Sequence, residues 1–274
     1  MKRKLIIIAG APKSFTTSVV HSLSCNLNSF SKEQHFLLER AETRFLTNRR
    51  TSDFSTYLSK ARVREDLYVD GSMSYFTEPL STDRVRLIKD FFHYVEVYVF
   101  LRDPFERIIS CYNMDVANGW VKENLQYYLE KEISGCLPMY GAGPRYILES
   151  CYAKNISFLQ QYFNKINIVT TTELIAGWWF PGELRGELGK QNSFPLRQAP
   201  VWFSKLKEFP VFQRINFNEN SRIKYLLKLL LYKKSTRLDF EFNSEIKAII
   251  NHEISGLYDL LSPEQYIIAQ RWKK

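Results

Sequence analysis

The residues with the most chemical content sit in two short stretches. In the first, Lys13 is followed by Ser14, Thr16, Thr17 and Ser18, directly after the apolar run Leu5-Ile6-Ile7-Ile8 and the break Ala9-Gly10-Ala11-Pro12. An ammonium and several hydroxyls at a strand-to-helix turn join the unpaired backbone N–H groups and positive dipole end of the helix, which together suit an anion, most naturally phosphate. In the second, Arg102 closes the apolar run of residues 95–101, and Ser110 follows eight residues on. A guanidinium fork and a hydroxyl outline a second anion site. Each stretch also has a plainer reading. The first is an ordinary Ser/Thr-capped helix; the second is a helix-start salt bridge between Arg102 or Arg107 and Asp103 or Glu106.

The elements that must position these residues follow from the pattern. Four large apolar residues in a row read as a strand buried on both faces, as in a parallel sheet. Leu67-Tyr68-Val69-Asp70 is short and β-like, broken by Gly71-Ser72-Met73-Ser74, and such strand ends are where open α/β sheets place ligands. Residues 79–92 predict a helix carrying the apolar residues Leu80, Val85, Leu87, Ile88 and Phe91. Pro104 suits a first helical turn, where its missing N–H costs nothing. Residues 120–143 predict a helix and a loop, and 243–261 and 263–272 two closing helices. Residues 178–210 hold four prolines among Trp178, Trp179, Phe180, Phe194, Trp202 and Phe203. That stretch is either a stacking loop for a saccharide or nucleobase, over the acceptor site, or a loop anchored in the core by its rings.

Composition sets the outer bounds. With 274 residues, 45% hydrophobic and 15% aromatic content, the chain can fill a sizeable α/β core. The net charge of +9 favours an anionic partner without naming one. Cys25, Cys111, Cys136 and Cys151 show neither a C-x-x-C pair nor a metal spacing, so buried free thiols in a reduced compartment are expected. The basic start before residues 5–11 imitates a signal peptide, but the apolar run meets Pro12-Lys13 too soon, and no run approaches the roughly 20 residues of a membrane span. The expectation is a cytoplasmic protein.

Spacing separates the kinds of phosphate loop. A Walker A loop needs G-x-x-x-x-G-K-[ST], and Lys13 comes only three residues after Gly10. PKSFTTS instead resembles the phosphosulfate loop of sulfotransferases, PKSGTT, with Phe15 in place of the glycine. LRDPFERIISCY resembles the same family's 3′-phosphate motif, LR-[DN]-P-x-x-R-x-x-S-x-Y. The order of the two motifs is also the family's. Within it, the closest pattern is that of heparan-sulfate-type carbohydrate sulfotransferases. KEQHFLL resembles their E-x-H-F-F segment and DGSMSYFTEP their E-K-S-P-x-Y-F segment, with Gly71 in place of the lysine; residues 152–174 resemble a downstream helix–strand unit.

The resemblance implies a single sulfotransferase domain over residues 1–274, an α/β three-layer P-loop-like fold with a central, mainly parallel sheet flanked by helices. It implies 3′-phosphoadenosine 5′-phosphosulfate as donor, 3′-phosphoadenosine 5′-phosphate as product, and no metal. By it, Lys13, Ser14, Phe15, Thr16, Thr17 and Ser18 hold the 5′-phosphosulfate end, Lys13 acting also on the leaving group, while Arg102 and Ser110 hold the 3′-phosphate. Glu33 is the implied catalytic base, with His35 in reserve and Asp70 third. Arg222 and Lys224 fall in a late Asn-containing segment that closes over the nucleotide in related enzymes. The implied acceptor is a glycan or glycolipid, with no nucleic acid.

Two other classes stay open on sequence. One is an ATP-dependent small-molecule kinase of P-loop type. The other is a non-catalytic binder of acidic glycans or of a membrane surface, to which the basic, leucine-rich residues 221–237 could attach peripherally; a core helix with a basic edge is the plainer reading of that stretch.

Overall fold

The computed structural model describes residues 2–16, 19–20, 43–47, 53–62, 65–136, 144–175 and 240–273. Its centre is a four-stranded sheet in the order β2-β1-β3-β4, formed by β1 (Lys4–Gly10), β2 (Leu67–Asp70), β3 (Tyr94–Leu101) and β4 (Ile166–Thr170). Every pairing is parallel. β1 is flanked on both edges, Ile6 facing Val69 on one side and Glu96 on the other. This central position explains its unbroken apolar run. Leu5, Ile6, Ile7 and Ile8 are all fully buried, each contributing ~1.5–3 kcal/mol relative to exposure. Between Ile8 and Gly10 the register against β3 shifts, and the chain stays tied to β3 beyond the strand through the Ala11 N–H, which donates to the Phe100 carbonyl at 2.9 Å.

The helices follow their start and stop signals. α1 (Phe54–Ala61) precedes β2, and α2 (Thr82–Phe91) lays Val85 and Ile88 inward. Leu87, one of the apolar residues of that stretch, is 45% exposed; it lies about 160° around the helix from Val85, off the stripe that Val85 and Ile88 form. α3 (Pro104–Asn118) starts with Pro104 in its first turn, is capped by the Asp103 carboxylate, which accepts from the N–H groups of Phe105 and Glu106, and ends at Gly119 in the left-handed region. α4 (Leu125–Ile133), α5 (Tyr152–Gln160), α6 (Thr171–Ile175), α7 (Ser244–Gly256) and α8 (Pro263–Gln270) complete the described set. The α7 stripe Ile246, Ile250, Ile254 is buried in the packing of α7 against α5. Cys111 and Cys151 are buried free thiols as expected, but Cys136 is exposed, because it lies in the turn after α4 where Gly135 adopts a positive φ.

β1 has β2 on one side and β3 on the other, so the connections leaving β1 and β3 diverge at the carboxyl edge of the sheet. In open α/β sheets this reversal of strand order is where ligands bind. The Lys13 and Arg102 turns are the two segments that leave these strand ends. No helix among the described residues is long and apolar enough to cross a membrane.

Candidate anion-binding site at the carboxyl edge

The first turn is shaped by close packing. Gly10 passes so near Phe76 that a Cβ would lie 2.7 Å from the Phe76 Cβ, which excludes any side chain there. Lys13 and Phe15 then take φ values of 68° and 63°, in the left-handed region that glycine enters freely and L-residues enter at a cost. A glycine would enter this region without that cost, and this chain reaches it with an aromatic residue at position 15. The helix starts at once: Thr16, Val19 and Val20 are helical, and the Val19 N–H donates to the Phe15 carbonyl at 3.0 Å.

The side chains of this turn are poorly matched by the protein itself. The Ser14 hydroxyl is fully buried with no hydrogen-bond partner among the described residues. Lys13 Nζ donates only to a thioether there, Met114 Sδ of α3, at 3.6 Å, and Thr16 donates to another, Met73 Sδ, at 3.1 Å. Burial holds the Lys13 ammonium below the usual lysine range; Cys111 and Asp115 act to raise it, while Arg102 and Arg107 push it down further. A bound anion would satisfy the hydroxyl and pair the ammonium, so these residues fit a phosphate or phosphosulfate group.

The second turn is held from behind. Tyr152 of α5, fully buried, donates its hydroxyl to the Arg102 carbonyl at 2.9 Å. The Arg102 guanidinium reaches Glu106 Oε2 from Nη2 at 3.0 Å and from Nε at 3.4 Å. Ser110 is half-buried on α3, one helical turn past Glu106 and one before Met114. The expected helix-start ion pair is therefore present for Arg102. Arg107 behaves differently: it is fully buried, its Nε donates to Ser150 at 2.8 Å, one terminal nitrogen to Glu149 at 3.0 Å, and the other to the Tyr146 carbonyl. It fastens α3 to the segment around the short 3-10 turn Leu148–Ser150.

At the end of β2, Asp70 is fully buried and accepts from the Ser72 N–H and hydroxyl, the Thr43 hydroxyl and the Tyr75 hydroxyl, at 2.6–3.1 Å. Burial raises its carboxyl above the ordinary range, and these bonds pull back against that. Asp70 is thus the centre of a turn, bonded to three hydroxyls and a backbone N–H, with no exposed surface for an acceptor. Gly71 has a packing reason: a Cβ there would stand 2.7 Å from Val20 Cγ2 of the helix after the Lys13 loop. A lysine at this position would require that helix to move.

The structure therefore brings Lys13, Ser14, Phe15, Thr16, Arg102 and Ser110 to one edge. Lys13 and Arg102 are near enough to repel each other electrostatically. Thr17, Ser18, Glu33, His35, Arg222, Lys224 and Cys25, with residues 178–210 and 221–237, lie outside the described residues. Sequence reasoning missed Met73, Met114, Asp115, Tyr146 and the positioning role of Tyr152. Asp115 is nearly buried, accepts from the Tyr146 hydroxyl at 2.9 Å, and is pushed up to about 6 chiefly by burial. Cys111 follows Arg107 by four residues, and Met114 and Asp115 follow Cys111 by three and four, a spacing that could have placed them on one face of α3.

The described residues thus form a parallel α/β sheet with two candidate anion-binding turns on neighbouring strand ends. No protein-family profile matches the chain, and no curated protein is significantly similar in sequence. Among solved structures it is similar to a sulfotransferase from Alicyclobacillus acidocaldarius, with a TM-score of 0.54 and 16% identity, covering 95% of this chain and 96% of that one. The fold is accordingly that of a sulfotransferase, a central parallel sheet flanked by helices.

Proposed function

We propose that this chain is a sulfotransferase that moves a sulfuryl group from 3′-phosphoadenosine 5′-phosphosulfate to a hydroxyl or amine, with a carbohydrate as the acceptor class. One observation carries the reading: Lys13 and Arg102 occupy the ends of adjacent parallel strands, within electrostatic reach of each other. That arrangement suits a nucleotide with an anionic group at either end. The shared fold with a sulfotransferase supports the same activity; the order of the two motifs supports the donor, and the likeness of residues 32–38 and 70–79 to carbohydrate enzymes supports the acceptor class.

In this reading the Lys13 loop holds the 5′ end through Ser14, Thr16 and backbone N–H groups, and Arg102 with Ser110 holds the 3′-phosphate. When bound, the donor supplies a sulfuryl group already attached to a phosphate leaving group. Lys13 then stabilises the negative charge that grows as that group departs, an electrostatic contribution typically worth ~3–4 kcal/mol for one well-placed donor. Burial strengthens it by removing competing water. Glu33, with His35 in reserve, takes the acceptor proton in this proposal, a role that rests on the E-x-H-F-F likeness.

Calorimetry with 3′-phosphoadenosine 5′-phosphate tests the reading. Wild type binds it more tightly than adenosine 5′-monophosphate; Arg102→Ala loses at least tenfold in affinity, of the size expected for a charge-assisted fork, and Lys13→Ala abolishes sulfuryl transfer. Unchanged affinity in the Arg102 variant, or a preference for ATP with magnesium, overturns it.

A further inference from the structure

Arg102 does not present a free fork. Its Nε and Nη2 converge on a single oxygen, Glu106 Oε2, and the two side chains are 26% and 35% exposed. A pair this open exchanges partners readily and is individually weak. Glu106 also lies in the first turn of α3, where the helix dipole favours a carboxylate whether or not Arg102 is paired with it.

We propose that Glu106 is a built-in competitor for the 3′-phosphate, and thereby the residue that loosens the hold of Arg102 on 3′-phosphorylated nucleotides. This rests on the nucleotide reading above. Two donors meeting one carboxylate oxygen make a poorer match than two parallel bonds to separate phosphate oxygens, and a phosphate dianion carries more charge than the carboxylate. The exchange therefore favours phosphate. An uncharged hydroxyl offers Arg102 less than Glu106 already does, so it leaves the ion pair intact and gains nothing from the site. The cost of displacing Glu106 from Arg102 lowers affinity for substrate and product alike and speeds release of the 3′-phosphorylated product.

The test is calorimetry on wild type, Glu106→Gln, Arg102→Ala and the double variant, each with 3′-phosphoadenosine 5′-phosphate and with adenosine 5′-monophosphate. Glutamine keeps the size of Glu106 at a half-exposed position, and matching thermal midpoints check the fold. Glu106→Gln is expected to bind the bisphosphate about fivefold tighter, as for loss of one exposed ion pair, with its monophosphate affinity within twofold of wild type. In the Arg102→Ala background the gain falls below twofold. Unchanged or weaker bisphosphate binding by Glu106→Gln overturns the proposal, as does a gain that persists without Arg102 or that extends equally to the monophosphate. Failure of wild type to distinguish the two nucleotides would instead sink the underlying nucleotide assignment.

Discussion

Phe15 is where a single residue bears the most conformational load. Its φ of 63° places an aromatic L-residue in the left-handed region, at a cost of roughly 1–2 kcal/mol. The ring is half-buried, so replacing it changes packing as well as backbone freedom; comparing two small replacements removes the packing contribution. Phe15→Gly is expected to be more stable than Phe15→Ala by about 1 kcal/mol in urea unfolding, the reverse of the ~0.5–1 kcal/mol by which alanine usually wins in regular structure. Equal stability would mean that the turn relaxes out of the left-handed region once the ring is gone. Phe15 stands where the PKSGTT pattern has glycine, but an aromatic residue does not itself announce a positive φ; the path of the chain between Ala11 and Thr16 imposes it.

At the scale of elements, the question is what keeps the strand-to-helix turns aimed at one point. α3 is fixed at its start by Asp103, Pro104 and the Tyr152 hydroxyl on the Arg102 carbonyl, and along its length by the buried Arg107. Arg107→Ala leaves the Glu149 carboxylate, 16% exposed, without its charged partner, and the Tyr146 carbonyl with the Ser150 hydroxyl alone. The expected cost is ~3–5 kcal/mol, as for other broken buried pairs, read as a lower urea midpoint. Arg107→Lys should lose less, because it keeps the charge and forfeits the fork. A change within 0.5 kcal/mol for Arg107→Ala would show that α3 is held by its apolar face alone. Much of this layer was legible in advance. β1, β2 and β3 announced themselves as short apolar runs ended by turn residues, Pro104 and Asn243 marked helix starts, and the two anion turns carried their own spacing. The long-range contacts were not legible. Arg107 reads as one more charge on a surface helix until residues 146–150, some 40 positions away, fold over it, and Asp70 reads as a candidate base until Thr43 and Tyr75 close around it.

For the whole molecule the relevant quantity is the dependence of unfolding on proton uptake. Asp70, Asp115 and Glu132 are carboxyls raised above their ordinary range, in each case chiefly by burial. Such groups hold protons in the native protein at pH values where the unfolded chain has released them. Their contribution to stability is therefore complete below about pH 4, where the unfolded chain keeps its protons too, and is lost as the pH rises through the native value. Asp115 gives the clearest window, because its native value of about 6 lies well above the ordinary ~3.9. Asparagine at this position imitates the protonated form and can still accept from the Tyr146 hydroxyl. Asp115→Asn should thus gain stability relative to wild type as the pH rises from about 4 to about 6, by about 1.4 kcal/mol per pH unit and so up to ~3 kcal/mol across the window, and then hold a constant difference. Urea unfolding of both proteins at pH 4, 5, 6 and 7 measures it. A difference that stays flat would mean that Asp115 ionises as it would in water, and so lacks the desolvated surroundings in which its charge could raise the Lys13 ammonium. A rise confined to that window would make the carboxylate a cost the fold accepts beside the lysine that the proposed reaction needs charged.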